Sequence, residues 1–437
     1  MLKFKTLILL LFLATSCKTI DSDRSLVSAS YRTLLIPDKE IADLTFDFCA
    51  DKAAFSAKNA LWLSYLAIGQ YTHFGIFGPR LEEFGFGDKG EGEAYRRFWY
   101  TLRLKRIIEG RSDTDDSWKD ERSRNERLAL IKAEYKKAFG EDYSDDGRGS
   151  SDFEKSIVGS SSNSKIRFMS GGLLSGGIFV KGSTQVLYAE HPKKDFTVIS
   201  FRGTEFDERS DLLTDANLSF RKLEGMGSVH DGFYNAYREV EDNLLAILKQ
   251  RDSSAEKPIH LFISGHSLGG TLANLLTAKI ASMHKKGEFT NIRLEATYTL
   301  GSPRVGNGAF VRALDELTQK QAIGLYRIRN HRDSVTALPP SYGYDTSYWH
   351  AGALIYISKD GKSHFGDGYA DIEKNSDYMR SYPTDPRDHN TGMYFAAMKS
   401  LYLANMDNDL SKCDDNSPQK PFTPFLENRR SRQNDPK

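Results

Sequence analysis

The chain has 437 residues, of which 60 are Lys or Arg and 59 are Asp or Glu, so its formal net charge at pH 7 is only +1. A nearly neutral chain has no overall field that attracts nucleic acid or anionic lipid, and we expect no nucleic-acid partner. The length fits one domain of about 240–300 residues with appendages better than two equal domains.

The chain begins with the features of an exported protein. Lys3 and Lys5 precede an apolar run over residues 7–14, and two small residues follow that run. A basic start, a short apolar segment and small residues before a cleavage site are typical of a secretory signal peptide. The run is too short to span a bilayer, so the start predicts a signal peptide and not a transmembrane helix.

Cys17 directly follows these small residues and resembles the cysteine of a bacterial lipobox. The resemblance implies a signal peptide over 1–16, a diacylated Cys17 and a tether over 17–40. The alternative is an ordinary secretory signal that is cleaved nearby. Lys18 is not the aspartate that retains such lipoproteins at the inner membrane. We therefore expect a lipid-anchored protein of the cell envelope, at the outer membrane of a Gram-negative bacterium.

Residues 80–166 are a charged insertion that ends in a serine-rich linker. Apolar side chains recur there at helical spacing, which predicts two amphipathic helices. Their apolar residues are Tyr95, Phe98, Trp99 and Leu102, then Leu128, Ile131, Tyr135 and Phe139. Such stripes usually pack on a core, so we favour packing over the alternative of a flap that faces membrane or substrate.

The most specific pattern lies at residues 259–277, where a short apolar strand, a Gly-His-Ser-Leu-Gly turn and an apolar-periodic helix follow one another. This order is the context in which Gly-x-Ser-x-Gly forms a nucleophile elbow, a sharp turn that exposes the serine. Ser267 is therefore the predicted nucleophile. The backbone N–H of Leu268 and the N–H and hydroxyl of Thr204, just past a predicted strand at 196–201, would stabilise an oxyanion.

A serine nucleophile also needs an acid and a base, which follow it in that order in hydrolases of this architecture. Asp333 lies just past a predicted strand at 324–330 and is the candidate acid. Three histidines come later. His350 lies in an aromatic run and His364 in a turn-rich loop, whereas His389 opens a predicted helix. An imidazole at such a junction can reach the sheet edge, which favours His389 as the base.

Two further cysteines, Cys49 and Cys413, flank the region that holds these motifs. An even pair in an exported protein favours a disulfide, with two free thiols as the alternative.

Five short motifs occur in one order along the chain: Phe201–Thr204, Asp211–Ala216, Val229–Phe233, Gly265–Gly270 and Gly301–Asn307. As an ordered set they resemble the class 3 (fungal-type) triacylglycerol lipases. Residues 59–67 also resemble the N-terminal helix of that family. The resemblance implies an α/β-hydrolase fold with a central mixed, mostly parallel sheet, a nucleophile elbow and no metal or cofactor. It places a catalytic triad at Ser267, Asp333 and His389.

The same resemblance implies a lid over 205–213, with Phe206, Leu212 and Leu213 as its apolar residues. Five charged side chains in that stretch argue against a lid that strongly seeks an interface. The family often ties its N-terminal helix to its C-terminal region through a disulfide.

Together these features predict a serine ester hydrolase that acts on acyl esters of lipids and is held at a membrane by its lipidated start. The alternatives are a phospholipase A1 or a lipid acyltransferase with the same triad, and a catalytically silent envelope lipoprotein. The expected organisation begins with a signal peptide (1–16), a tether (17–40) and an N-terminal helical part of the hydrolase (41–79). The helical charged insertion (80–166), the hydrolase core (167–405) and a polar tail (406–437) follow.

Overall fold

The computed structural model describes most of the predicted hydrolase region. The described residues are 46–70, 165–169, 176–181, 184–191, 196–203, 219–339, 347–365, 386–406 and 410–413, with Leu44 and isolated positions between 125 and 142. Cys17, Thr204, the predicted lid with its Phe206, Leu212 and Leu213, and most of the insertion lie outside them.

Nine of the described strands form one mixed sheet in the order β1-β2-β3-β4-β7-β8-β9-β10-β11. Its central strands β4, β7, β8, β9 and β10 are parallel. Strands β1 to β3 continue it antiparallel on one side and β11 on the other. The bounds are β1 (Lys165–Met169), β2 (Gly176–Lys181), β3 (Thr184–His191), β4 (Phe196–Phe201), β7 (Ile259–His266), β8 (Ile292–Leu300), β9 (Gly324–Asn330), β10 (Ala353–Ile357) and β11 (Ser363–Phe365), with β5 (Phe220–Leu223) and β6 (Gly227–His230) in a separate hairpin.

Helices cover both faces of this sheet. Along β7, Leu261 and Ile263 belong to the core formed with α2, α3 and α4, whereas Phe262 on the opposite face packs edge-on against Phe48 at 4.9 Å. These side chains lie on opposite faces of the sheet because successive side chains of a strand point to alternate sides. The helices are α1 (Ala57–Gly69), α2 (Asp231–Ser254), α3 (Leu268–Lys285), α4 (Gly308–Lys320) and α5 (Thr391–Ala404). None of these described helices has both the length and the apolar character that a bilayer crossing needs.

A parallel central sheet between helical layers, with a helix starting directly after β7, is the predicted α/β-hydrolase arrangement. The strands predicted at 196–201 and 324–330 are β4 and β9. The prediction that His364 lies in a turn-rich loop was wrong, because His364 lies in β11, where it pairs with Tyr356 of β10. The turn residues before it close a hairpin, with Gly361 at a φ of 78°, and do not form an open loop.

A disulfide joins Cys49, which precedes α1, to Cys413, which follows α5. Two hydrogen bonds connect the same segments, from the Lys52 side chain to the Lys412 carbonyl and from the Ala57 N–H to the Leu410 carbonyl at 2.8 Å. The start and the end of the described hydrolase region are therefore held together on the α1–α5 side of the sheet.

Replacing both bridged cysteines by serine is expected to lower the free energy of unfolding by about 2–5 kcal/mol, because the bridge limits the freedom of a very long loop in the unfolded chain. Urea titration followed by circular dichroism measures the change. Cys17→Ser, which leaves the bridge intact, is the matched control. An unchanged midpoint in the double variant would contradict the prediction.

Candidate active site

Ser267 occupies the turn between β7 and α3 in an unusual backbone conformation, with φ 59° and ψ −132°. Its N–H donates to the Leu300 carbonyl at 2.8 Å and its carbonyl accepts from the Gly270 N–H at 2.9 Å. A non-glycine residue at positive φ is strained and persists only where the surrounding structure fixes it. Within the described part of the chain, the Ser267 hydroxyl caps none of the α3 N–H groups.

Two glycines allow the strand and the helix to approach closely at this turn. A Cβ on Gly265 would lie 2.2 Å from the Gly269 carbonyl oxygen, and a Cβ on Gly269 would lie 2.3 Å from the Phe201 carbonyl oxygen at the end of β4. The start of α3 therefore packs against the end of β4. Leu268 is the first residue of α3, so its N–H has no acceptor within the helix and can face an oxyanion.

Asp333 follows β9 and is completely buried. Its Oδ2 accepts hydrogen bonds from His389 Nδ1 at 2.7 Å and from the Tyr394 hydroxyl at 2.6 Å. Its Oδ1 accepts a third from the Val335 N–H at 2.9 Å. These three donors fix the direction of the carboxylate. They also supply the hydrogen bonds that a buried charge requires.

His389 is also buried and ends a 3-10 turn over Pro386–His389. It does not open α5 as predicted: Asn390 caps that helix by accepting from the Gly392 N–H at 2.8 Å. An asparagine side chain satisfies a free helix N–H, whereas the preceding imidazole points at the acid. Because His389 Nδ1 donates to a carboxylate, the basic lone pair of the neutral ring lies on Nε2.

The end of β8 connects Ser267 to the Asp333–His389 pair. Leu300 accepts the Ser267 N–H, and a Cβ on the next residue, Gly301, would lie 2.9 Å from both Asp333 Oδ2 and His389 Cε1. The centroid of the His389 ring also lies 4.7 Å from that of His266, the residue before Ser267. The structure thus brings the three predicted triad residues together at the C-terminal ends of the central strands.

The other two histidines after Asp333 form hydrogen bonds with other residues. His364 Nε2 lies 2.9 Å from the Ser358 hydroxyl in the β10–β11 hairpin. His350 Nε2 donates to the Thr336 carbonyl at 2.9 Å. The pKa of His350 lies well below its usual value, first because of burial and then because of the charges of Arg327, Arg304 and Arg329.

A second contact fixes the histidine turn to the segment that carries the acid. The Asn330 side-chain amide donates to the Asp388 carbonyl at 2.7 Å, and the Arg332 N–H donates to the Asp388 carboxylate at 2.9 Å. The two segments therefore stay aligned even apart from the Asp333–His389 bond.

Tyr394 belongs to the candidate site, and the sequence reasoning missed it. Its hydroxyl accepts the Asn330 N–H at 3.0 Å and donates to Asp333. Burial, followed by the Asp333 charge, raises the pKa of Tyr394 well above its usual value, so the hydroxyl keeps its proton. No motif marks a tyrosine five residues after a candidate base, and only the packing of α5 reveals it.

Tyr394→Phe is expected to lower kcat for ester hydrolysis roughly 10-fold, because a hydrogen bond to a charged group is worth about 1.5–3 kcal/mol and Phe keeps the packing. Steady-state kinetics on a dissolved ester measure the change. Tyr402→Phe, two turns along the same helix, is the control. Equal kcat values for wild type and Tyr394→Phe would show that the hydroxyl is dispensable.

Within the described residues, no three His, Cys, Asp or Glu side chains lie close enough together to hold a metal ion.

Residues 198–343 match the sequence profile described as "Lipase (class 3)". This segment belongs to the class 3 lipase family. It includes Ser267 and Asp333, whereas His389 lies beyond its end and joins them through the fold.

Relatives of the class 3 lipase segment include enzymes named for two substrate classes. The chain is 34% identical over 131 residues to a secreted mono- and diacylglycerol lipase of Fusarium solani, covering 29% of this chain and 35% of that protein. It is 31% identical over 159 residues to a chloroplastic phospholipase A1 of Arabidopsis thaliana, covering 32% and 33%. The matches thus span about a third of the length of these relatives.

A solved structure of a Rhizomucor miehei lipase propeptide complex, a deletion mutant, is similar to the chain with a TM-score of 0.39 and 24% identity. The similarity covers 50% of this chain and 68% of that one.

Proposed function

We propose that the protein is a serine ester hydrolase that acts on acyl esters of lipids. The observation that carries the proposal is the buried His389–Asp333 pair, with Nδ1 and Oδ2 2.7 Å apart, beside Ser267 in a strained strand-to-helix turn. A nucleophile, a base and an acid that orients the base are the parts that acyl transfer needs. Membership of the class 3 lipase family supports the same chemistry.

The proposed reaction has two steps. Ser267 Oγ attacks the ester carbonyl carbon while His389 Nε2 takes its proton, and the imidazolium then protonates the leaving alcohol. Asp333 stabilises the imidazolium and holds the ring. Water, deprotonated by His389, then attacks the acyl-enzyme and releases the fatty acid and Ser267. The Leu268 N–H, and Thr204 in the proposed role of second donor, stabilise the oxyanion in both steps.

The natural lipid substrate is the finer part of the proposal. One relative is named a mono- and diacylglycerol lipase and another a phospholipase A1, so acylglycerols and phospholipids are both candidates. A lipid acyltransferase would use the same acyl-enzyme and pass the acyl group to an alcohol in place of water. The proposed lid has five charged side chains in the stretch 205–213, which supports turnover of dissolved esters without an oil interface.

The test compares purified full-length protein with Ser267→Ala on p-nitrophenyl butyrate, on a diacylglycerol and on phosphatidylcholine vesicles. Turnover by the wild type alone is the expected result. Added glycerol reports an acyltransferase if acylglycerol forms at the expense of fatty acid. No turnover of any ester, with no covalent labelling of Ser267 by a fluorophosphonate, would leave the silent lipoprotein as the correct reading.

The proposed site of action is the cell envelope, with the protein held at a membrane through acylated Cys17. Cys17→Ser is expected to move the protein from the membrane fraction to the soluble fraction and to remove the diacylglyceryl mass, because the two acyl chains supply most of the membrane affinity. Fractionation and intact-protein mass spectrometry measure both effects. The same fractionation for both forms would refute the anchor.

A further inference from the structure

The loop that carries Asp333, residues 333–339 and here named the acid loop, is bound through four consecutive carbonyl oxygens. All four accept hydrogen bonds from only two residues, His350 and Arg304. The bonds run from His350 Nε2 to Thr336 (2.9 Å), from Arg304 Nη1 to Ala337 and to Pro339 (2.8 Å), and from the Arg304 N–H to Leu338 (2.7 Å).

The geometry of the acid loop determines where the carboxylate points. The Val335 N–H donates to Asp333 Oδ1 at 2.9 Å, and the Thr336 hydroxyl donates to the Asp333 carbonyl at 2.8 Å. Both donors lie within the 3-10 turn Val335–Ala337, and His350 and Arg304 bind the Thr336 and Ala337 carbonyl oxygens of the same turn. A shift of this turn would therefore rotate the carboxylate that His389 contacts.

Both binding residues are built into the fold. Arg304 follows the end of β8 and is buried, and His350 lies just before β10. Burial and three nearby arginines hold the pKa of His350 well below its usual value, so its ring is neutral with the proton on Nε2. A residue in this state is a fixed hydrogen-bond donor and contributes no titrating charge near the site.

We propose that His350 and Arg304 are positioning residues for the reaction: they fix the acid loop so that Asp333 holds His389 in the orientation that accepts the Ser267 proton. The inference rests on the proposed function and deepens it, because it gives a role to the histidine that competes with His389 for the part of the base. A displacement of about 1 Å in a catalytic constellation can cost roughly 100-fold in rate.

The test compares two amide variants of His350 that differ by one methylene. In His350→Gln the amide nitrogen reaches about as far as Nε2 and can donate to the Thr336 carbonyl, whereas in His350→Asn it falls short. We expect kcat to fall about 100-fold in His350→Asn with KM within about twofold, and to return to within about fivefold of wild type in His350→Gln. Rates are divided by the number of active sites, counted by fluorophosphonate labelling. His364→Gln is the control for a histidine outside this network.

A second measurement does not depend on activity. The Nδ1 proton of His389, shared with Asp333, gives a low-field ¹H NMR signal that is assigned by its absence in His389→Ala. We expect this signal to shift or broaden in His350→Asn and to stay in place in His350→Gln. If the wild-type protein shows the signal but hydrolyses no ester, the proposed function is refuted. The NMR comparison of the two amide variants then decides the positioning role alone.

Equal kcat values and equal signals in the two amide variants would overturn the inference. Equal loss of folded protein in both variants, with unchanged kcat per labelled site, would also overturn it, because His350 would then serve stability alone. If His350→Asn does not fold, Arg304→Lys supplies the comparison, since one ammonium group cannot reach both the Ala337 and Pro339 carbonyl oxygens. A normal kcat and signal in that variant would count against the proposal.

Discussion

Ser267→Ala is expected to abolish ester hydrolysis, with a fall in kcat of roughly 10⁶-fold, because no other group at the elbow can form the acyl-enzyme. The thermal midpoint is expected to stay close to that of wild type. The described structure gives the Ser267 hydroxyl no capping role in α3, and alanine inherits the same backbone conformation. Steady-state kinetics and differential scanning fluorimetry measure the two effects.

Ser264→Ala is the matched control, three residues earlier in the chain and within β7. The Ser264 hydroxyl is fully buried and donates to the Ser200 hydroxyl at 2.7 Å. Its loss leaves a buried partner unsatisfied, so we expect lower stability with unchanged kcat. Substantial hydrolysis by purified Ser267→Ala would mean that the chemistry belongs to another residue.

The fold and the strand-to-helix turn that carries Ser267 could be predicted because their signals are local. The central strands β4 and β9 begin and end at the predicted residues. The elbow is a continuous segment that needs glycines, because a Cβ on Gly265 would lie only 2.2 Å from the Gly269 carbonyl oxygen. Local chemistry of this kind can be read from sequence without knowledge of distant contacts.

The rest of the site depends on contacts between distant segments. Asp333 and Tyr394 are 61 residues apart, and their hydrogen bond exists only because α5 packs beside the end of β9. His350 and His389 both follow the acid in chain order, and spacing alone does not separate a residue that binds a carbonyl from one that binds the carboxylate. His389 also lies two residues before the helix that it was predicted to open, because Asn390 is the cap.

The sharpest test of the assignment is His389→Ala, for which we expect kcat to fall roughly 10⁶-fold, since a triad without its base retains only oxyanion stabilisation and binding. Unlike Ser267→Ala, this variant should also lose stability. It leaves Asp333 fully buried with two of its three donors, the Tyr394 hydroxyl and the Val335 N–H. Removing one partner of a buried ion pair lowers the free energy of unfolding by about 3–5 kcal/mol. We expect a smaller decrease here, because the imidazole that is removed is neutral. Urea titration therefore accompanies the kinetics.

Three histidines follow Asp333, and each gives a different result if the structure assigns them correctly. His389→Ala loses the chemical step, His350→Asn keeps the base but misplaces the acid, and His364→Gln changes neither because His364 contacts Ser358 in a separate hairpin. The pH–rate profile separates the first two: His350→Asn should keep the limb that reports the imidazole, whereas His389→Ala should lose it. A profile that survives in His389→Ala and disappears in His350→Asn would transfer the role of base to His350.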